Sequence, residues 1–177
     1  MKYRFCDLGT QYYVSGRLAA QAWQAPVHGN LLHHAVEMFL KGALLDALSV
    51  KQLKKRPYSH DLPSLWDAFK AKERDATLNR FDAAIRALHA FESIRYPDEI
   101  ERHGMATGVA WARGDISFDG GTHPLPPQYI VHIHEIDELV VDILSRASVN
   151  PQAIKMRNNI AREALQYQNP FAAAWGV

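Results

Sequence analysis

Residues 33 to 45 read HHAVEMFLKGALL. Four polar residues, His33, His34, Glu37 and Lys41, interrupt an otherwise apolar helical pattern. At about 100° per residue, Leu32, Val36, Phe39 and Ala43 fall on one side, and Leu40 and Ala47 widen that stripe. Leu44, Leu45 and Leu48 then spread apolar surface nearly all round, which predicts a helix over 31–49 at the centre of a bundle. His33, Glu37 and Lys41 stand at successive i, i+4 positions and drift about 40° per step, so they make one polar stripe. Leu44 and Leu48 flank the direction of Glu37, which is therefore expected to be at least half buried and to need a partner. Lys41, one turn C-terminal, has the better orientation for that pairing. His33, one turn earlier, and His60, at the entry to the next helix, are the other candidates. The stripe reads as a structural polar seam of His33, Glu37, Lys41 and His60. His33 and Glu37 offer only two metal ligands, so no metal site is expected.

Working outward, residues 7–23 predict a helix, with Tyr13, Leu18 and Ala22 on one face and Val14, Arg17 and Gln21 on another. Pro26 and Gly29 break that pattern, and Asn30 is a good N-cap for the central helix. The basic run KQLKKRPYSH (51–60) is a loop closed by Pro57. Ser59 or Asp61 can cap the helix LPSLWDAFKAKE, where Pro63 is tolerated in the first turn. Asp75 or Thr77 starts LNRFDAAIRALHAFESI, in which Phe81, Ala84, Ile85, Leu88 and Phe91 follow helical spacing. Pro97 is expected to stop it. VAWARGDISFDGG alternates about a Gly114-Asp115 turn and predicts a β-hairpin over 108–119, within a β-insertion spanning about 108–133. YIVHI is one more strand. A helix starts at His134 or Glu135, and Asn150-Pro151 opens a last helix through PQAIKMRNNIAREALQYQ.

A chain of 177 residues suits one domain, 1–177, able to bury its own core. A net charge of +1 gives no overall electrostatic case for nucleic acid or membrane, so such binding needs a local patch. A single cysteine, Cys6, excludes an internal disulfide and a paired-thiolate zinc site, and fits a reducing compartment. The opening MKYRFCDLGTQYY has no long apolar run, and no stretch reaches a membrane-spanning length; a cytoplasmic protein is expected. GxGxxG, P-loop and HExxH patterns are absent, so no cofactor is expected.

The order NLLHHAVEMFLKGALL, then HDLPSLW after a basic loop, then a long helix ending in FESIRYPDE resembles HEPN-domain proteins over roughly residues 8–100. The resemblance implies an all-α, up-and-down bundle of four or five helices, here with a small β-hairpin insertion and a C-terminal helix. It implies a homodimer, to which Trp23, Trp111 and Trp175, outside the obvious core helices, could contribute. Many such proteins are RNA-cleaving toxins paired with a nucleotidyltransferase-like partner protein. Their signature is an arginine, four to six residues, then a histidine, two copies facing across the dimer. The arginine would stabilise phosphate charge and the histidine would serve acid–base catalysis. None of the nine histidines here follows an arginine at that spacing: Arg56 to His60 leaves three residues between, Arg86 to His89 two, and Arg95 to His103 seven.

The expectation is therefore a non-catalytic HEPN-like binding or regulatory module, for RNA, a nucleotide or a protein partner. The alternatives are a metal-independent ribonuclease using a displaced Arg95/His103 pair, and a purely structural oligomeric scaffold. RYPDEIERHG gathers Arg95, Tyr96, Arg102 and His103, candidates for an anion or RNA contact. Lys51, Lys54, Lys55 and Arg56 form the densest basic run, with Tyr58 beside them for stacking. Lys155, Arg157 and Arg162 could extend a basic patch, or form the wet face of the last helix. His132 and His134 share a face if VHIHEID is a strand, and a solvent-facing edge running into a helix is the expectation there.

Overall fold

The computed structural model describes residues 1–112, 125–154 and 158–177. Among them the chain is mostly helical, with eight α-helices and one two-stranded sheet. Helix α1 (Lys2–Gln21) starts a turn before the expected residue 7. Helix α2 (Val27–Leu44) starts directly after Pro26, so Asn30 lies inside it and is not its N-cap. The reason is local: Gln24 O accepts from His28 N–H and Pro26 O from Gly29 and Asn30 N–H, closing the first turn before Asn30 is reached. Helix α2 packs on α1 and also on the later helices α4, α5 and α7, which is the central position its apolar circumference predicts.

Ser49 and Gln52 form a capping box for the single turn α3 (Val50–Leu53). Asp61 caps α4 (Leu62–Glu73) by accepting from Ser64 N–H, with Pro63 in the first turn. Leu62, Leu65, Trp66 and Phe69 bury its apolar face. Asp75 caps the next segment, which is split in two: a 3-10 turn over Ala76–Phe81, then α5 (Asp82–Ala90). Pro97 does not simply end a helix; it opens α6 (Pro97–His103), where its missing N–H is one that no helix would use.

The turn and second strand of the hairpin predicted over 108–119 lie outside the described residues, and its first strand has another partner. Strands β1 (Ala106–Ala110) and β2 (Gln128–His132) pair in parallel, Ala106 against Gln128 through Ala110 against His132. A parallel pair cannot be closed by a tight turn. The Gly114-Asp115 turn, and Arg113 beside it, lie outside the described residues. Helix α7 (Ile133–Arg146) continues directly from β2, so His132 ends the strand while His134 sits in the first helical turn, and the two no longer share a strand face. Asn150 caps only a 3-10 turn (Pro151–Ala153), and Asn158 caps α8 (Asn159–Gln166) afresh by accepting from Ala161 N–H. Lys155 and Arg157 are outside the described residues; Arg162 is exposed.

One core joins these elements, from Cys6 and Tyr13 through Leu32, Val36, Phe39, Trp66, Ile85 and Leu88 to Leu139 and Ile143. Gly29 fixes one approach within it, since a Cβ there would come within 2.1 Å of the Phe91 ring at the end of α5. Trp175 is buried in this core and stacks on Tyr13, Trp111 packs edge-on against Tyr167, and Trp23 is exposed. Among the described residues no helix is long and apolar enough to cross a membrane.

Candidate functional site

The polar stripe of α2 faces the start of α4 and the end of α5, and its centre is Glu37, only 1% exposed. Its two carboxylate oxygens have different tasks. Oε1 accepts from Lys41 Nζ at 2.6 Å, and the same ammonium donates to Ser59 O. Oε2 faces three imidazoles: His34 Nδ1 at 3.2 Å, His60 Nδ1 at 3.4 Å and His33 Nε2 at 4.0 Å. Burial pushes the Glu37 carboxyl up, but hydrogen bonds from His34 and Lys41, with the charges of Lys41 and His60, outweigh it and hold the group at about 2.

His33 is wholly buried. Its Nδ1 lies 3.3 Å from Leu88 O in the last turn of α5, and a carbonyl can only accept, so Nδ1 carries the proton. Burial pushes this imidazole towards its neutral form, against the pull of the Leu88 carbonyl, Glu92 and Glu37. His89 stacks on His33 with ring centroids 5.9 Å apart, and its own Nε2 lies 3.4 Å from Asp61. Glu92, just past α5, sets Oε2 3.9 Å from His33 Nε2, while its Oε1 accepts from Arg95 at 3.0 Å. A cleft of about 460 Å³ opens over this group, lined by Arg56, Ser59, His60, Asp61, His89 and Glu92. Next to its lining residues His60 and Glu92, His33, His34 and Glu37 can place one ligand atom each within 4.8 Å of one another.

The stripe is legible in the sequence; the second wall is not. His89 and Glu92 lie three residues apart on a helix end, which marks them as neighbours of each other but not of His33. Helical spacing leaves His34 out of the seam, yet it holds Glu37 more closely than His60 does.

Apart from Arg56, which lines this cleft, the other candidates stand outside it, with one exception. Arg102 pairs with Asp98 and Glu99, and His103 lies 3.8 Å from Glu99, all within α6. Tyr96 is exposed beside the Arg95 guanidinium. Arg95 precedes helix α6 and His103 is its last residue, and each faces its own glutamate, Glu92 and Glu99. Arg95 is the exception, since its guanidinium fixes the carboxylate that faces His33. Lys51, Lys54, Lys55 and Arg56 are all exposed and, among the described residues, none has a carboxylate partner.

A second buried charge group has no signature in the sequence. Arg17 of α1 is wholly buried; its Nη1 donates to Asp137 of α7, its Nε to Ala164 O at 2.7 Å, and its Nη2 to Tyr167 O. Tyr13 Oη donates to the same Asp137 oxygen. Burial pushes the Asp137 carboxyl up, opposed by the Arg17 guanidinium and the Tyr13 hydrogen bond.

In comparisons with known proteins, no family model, no curated protein and no solved structure matches the chain.

Proposed function

We propose that this chain is a non-catalytic binding or regulatory module of HEPN type whose ligand carries phosphate, as RNA or a nucleotide does. One observation supports the choice of ligand: among the described residues, Lys51, Lys54, Lys55 and Arg56 are exposed without a carboxylate partner, whereas Arg95, Arg102 and His103 each face one. An unpaired cation keeps its attraction for phosphate, while a paired one must first release its carboxylate. Tyr58, half-buried next to the run, supplies a ring on which a base can stack. The HEPN likeness itself rests on segments of α2, α4 and α5, and α2 packs on both others. The missing arginine–histidine spacing favours binding over cleavage. A homodimer belongs to this reading, with exposed Trp23 as one source of apolar contact surface; light scattering at micromolar concentration should give twice 20.0 kDa.

Fluorescence anisotropy of a labelled single-stranded RNA tests the reading. Binding should tighten as salt falls, and Lys54→Ala with Lys55→Ala should lower the log–log salt slope by about 0.7 per lysine removed. No binding of RNA or nucleotide at low salt would favour the oligomeric scaffold instead. RNA cleavage lost in both Arg95→Ala and His103→Ala would establish the ribonuclease.

A further inference from the structure

We propose that His33, His34, Glu37 and Glu92 form a binding site for one divalent transition-metal ion beside the cleft that Glu92 lines. The carrying observation is His33 Nε2. It is buried with no hydrogen-bond partner, and it points between Glu37 Oε2 at 4.0 Å and Glu92 Oε2 at 3.9 Å. With Nδ1 committed as donor to Leu88 O, Nε2 offers a lone pair. A lone pair facing two carboxylate oxygens meets acceptors on both sides and no protein donor. A proton on Nε2 would be too far from either oxygen for a good hydrogen bond. A cation bound to Nε2 supplies the missing partner.

The distances suit that role. Ligand atoms each about 2.0–2.2 Å from a zinc-sized ion lie roughly 3–4 Å from one another. Ligand atoms of His33, His34 and Glu37 lie within 4.8 Å of one another, and Glu92, 3.9 Å from His33 Nε2, joins by a side-chain rotation to complete a set of two imidazoles and two carboxylates. That mixture selects a borderline first-row ion such as zinc over magnesium or calcium, which prefer oxygen alone. The groups behind the ligands are equally specific. Lys41 holds Glu37 by Oε1 and Arg95 holds Glu92 by Oε1, each leaving Oε2 turned towards His33. The Leu88 carbonyl fixes the His33 ring, as outer partners of metal-bound imidazoles do. The half-buried Glu92 and the exposed His60 lie on the open side, giving an entry path. Arg95 is then a positioning residue, acting through Glu92.

Titration of the chelator-stripped full chain with zinc chloride, by isothermal calorimetry, decides this without RNA. One zinc ion per chain is expected, and cobalt in its place should give visible d–d absorption bands. Glu92→Gln, at a partly exposed position, should weaken zinc at least tenfold while leaving the urea midpoint of the chelator-treated protein unchanged. His34→Ala should weaken zinc likewise, with a small loss of stability because it also removes a hydrogen bond to Glu37. Arg95→Ala should weaken it about tenfold, with partial rescue by Arg95→Lys. Absence of zinc binding to the unmodified protein overturns the proposal. So does zinc binding that both His34→Ala and Glu92→Gln leave intact, which would assign the ion to other surface histidines. The proposed RNA contact at Lys51–Arg56 stands or falls separately.

Discussion

Glu37 and Asp137 are both carboxylates taken out of water, 1% and 0% exposed, and both are paired with a cation. Their surroundings differ in one respect. Around Asp137 the Arg17 guanidinium and the Tyr13 hydroxyl converge on Oδ1, leaving buried Oδ2 without a hydrogen bond, and the other Arg17 donors close on the carbonyls of Ala164 and Tyr167. Around Glu37 Oε2 imidazoles gather, and the buried His33 Nε2 among them lacks a hydrogen-bond partner and faces a second carboxylate, Glu92, that lines a cleft. The first cluster ties α1, α7 and α8 together. The second has the composition of a site. Burial alone does not separate the two uses of a charged group; the groups that surround it do.

The sharpest break of this comparison is at the closed cluster. Asp137→Ala strands the Arg17 charge in the core, and a buried charge deprived of its partner costs about 3–5 kcal/mol. Urea unfolding should register that loss, together with loosening of α8, whose Ala164 carbonyl Arg17 also holds. A loss below about 1 kcal/mol would mean that water reaches Arg17 and that the cluster is open like its counterpart.

Glu37→Gln comes next, at about 2 kcal/mol, the scale of one charge-assisted hydrogen bond, because Lys41 keeps the Ser59 carbonyl. This difference should depend on pH. The folded carboxyl lies at about 2, below the ordinary value of 4.5. Ionised Glu37 therefore contributes its full stabilisation above about pH 4.5 and loses it as pH falls towards 2. Urea midpoints of Glu37→Gln and the unmodified chain, both with chelator, should converge over that window. A gap that is constant from pH 7 to pH 3 would contradict the assigned pairing.

Gly29→Ala probes the joint between the two walls. A methyl group within 2.1 Å of the Phe91 ring must push that ring aside, an overpacking cost of about 1–3 kcal/mol. Phe91 precedes Glu92, so the same substitution should weaken zinc binding in calorimetry. Lost stability with unchanged zinc affinity would detach Glu92 from the site.

Sequence distance decides which of these features are legible in the chain. The seam on α2 is legible because its members are four residues apart on one helix, where periodicity alone fixes the face. Arg17 and Asp137 are 120 residues apart, and nothing local distinguishes a buried arginine among Gly16, Leu18 and Gln21 from a solvated one. Alternation finds YIVHI, which overlaps β2, but starts the other strand at Val109 where β1 begins at Ala106, and it says nothing of their parallel pairing, because alternation reports a face and not a partner. Pro97 carries the same ambiguity, since a proline that ends one helix also suits the first position of the next. Asn30 misleads for a related reason: a good cap residue is also tolerated inside a helix whose first turn is closed by other groups.

The smallest expected stability effect carries the finest discrimination. Arg95 and Arg102 are both substantially exposed arginines paired with a glutamate three residues earlier, Glu92 and Glu99. Exposed pairs of this kind contribute about 0.5 kcal/mol or less, so Arg95→Ala and Arg102→Ala should leave the urea midpoint almost unmoved. The difference lies in what each glutamate does with its other oxygen. Glu99 turns Oε2 to exposed His103 on the same helix, whereas Glu92 turns Oε2 to buried His33 on another. Arg95→Ala should therefore lower zinc affinity about tenfold and Arg102→Ala should not, a contrast that the near-identical surface chemistry of the two arginines cannot produce. Equal zinc affinities in the two variants would place Arg95 among the solvated surface charges and leave Glu92 unfixed at the mouth of the cleft.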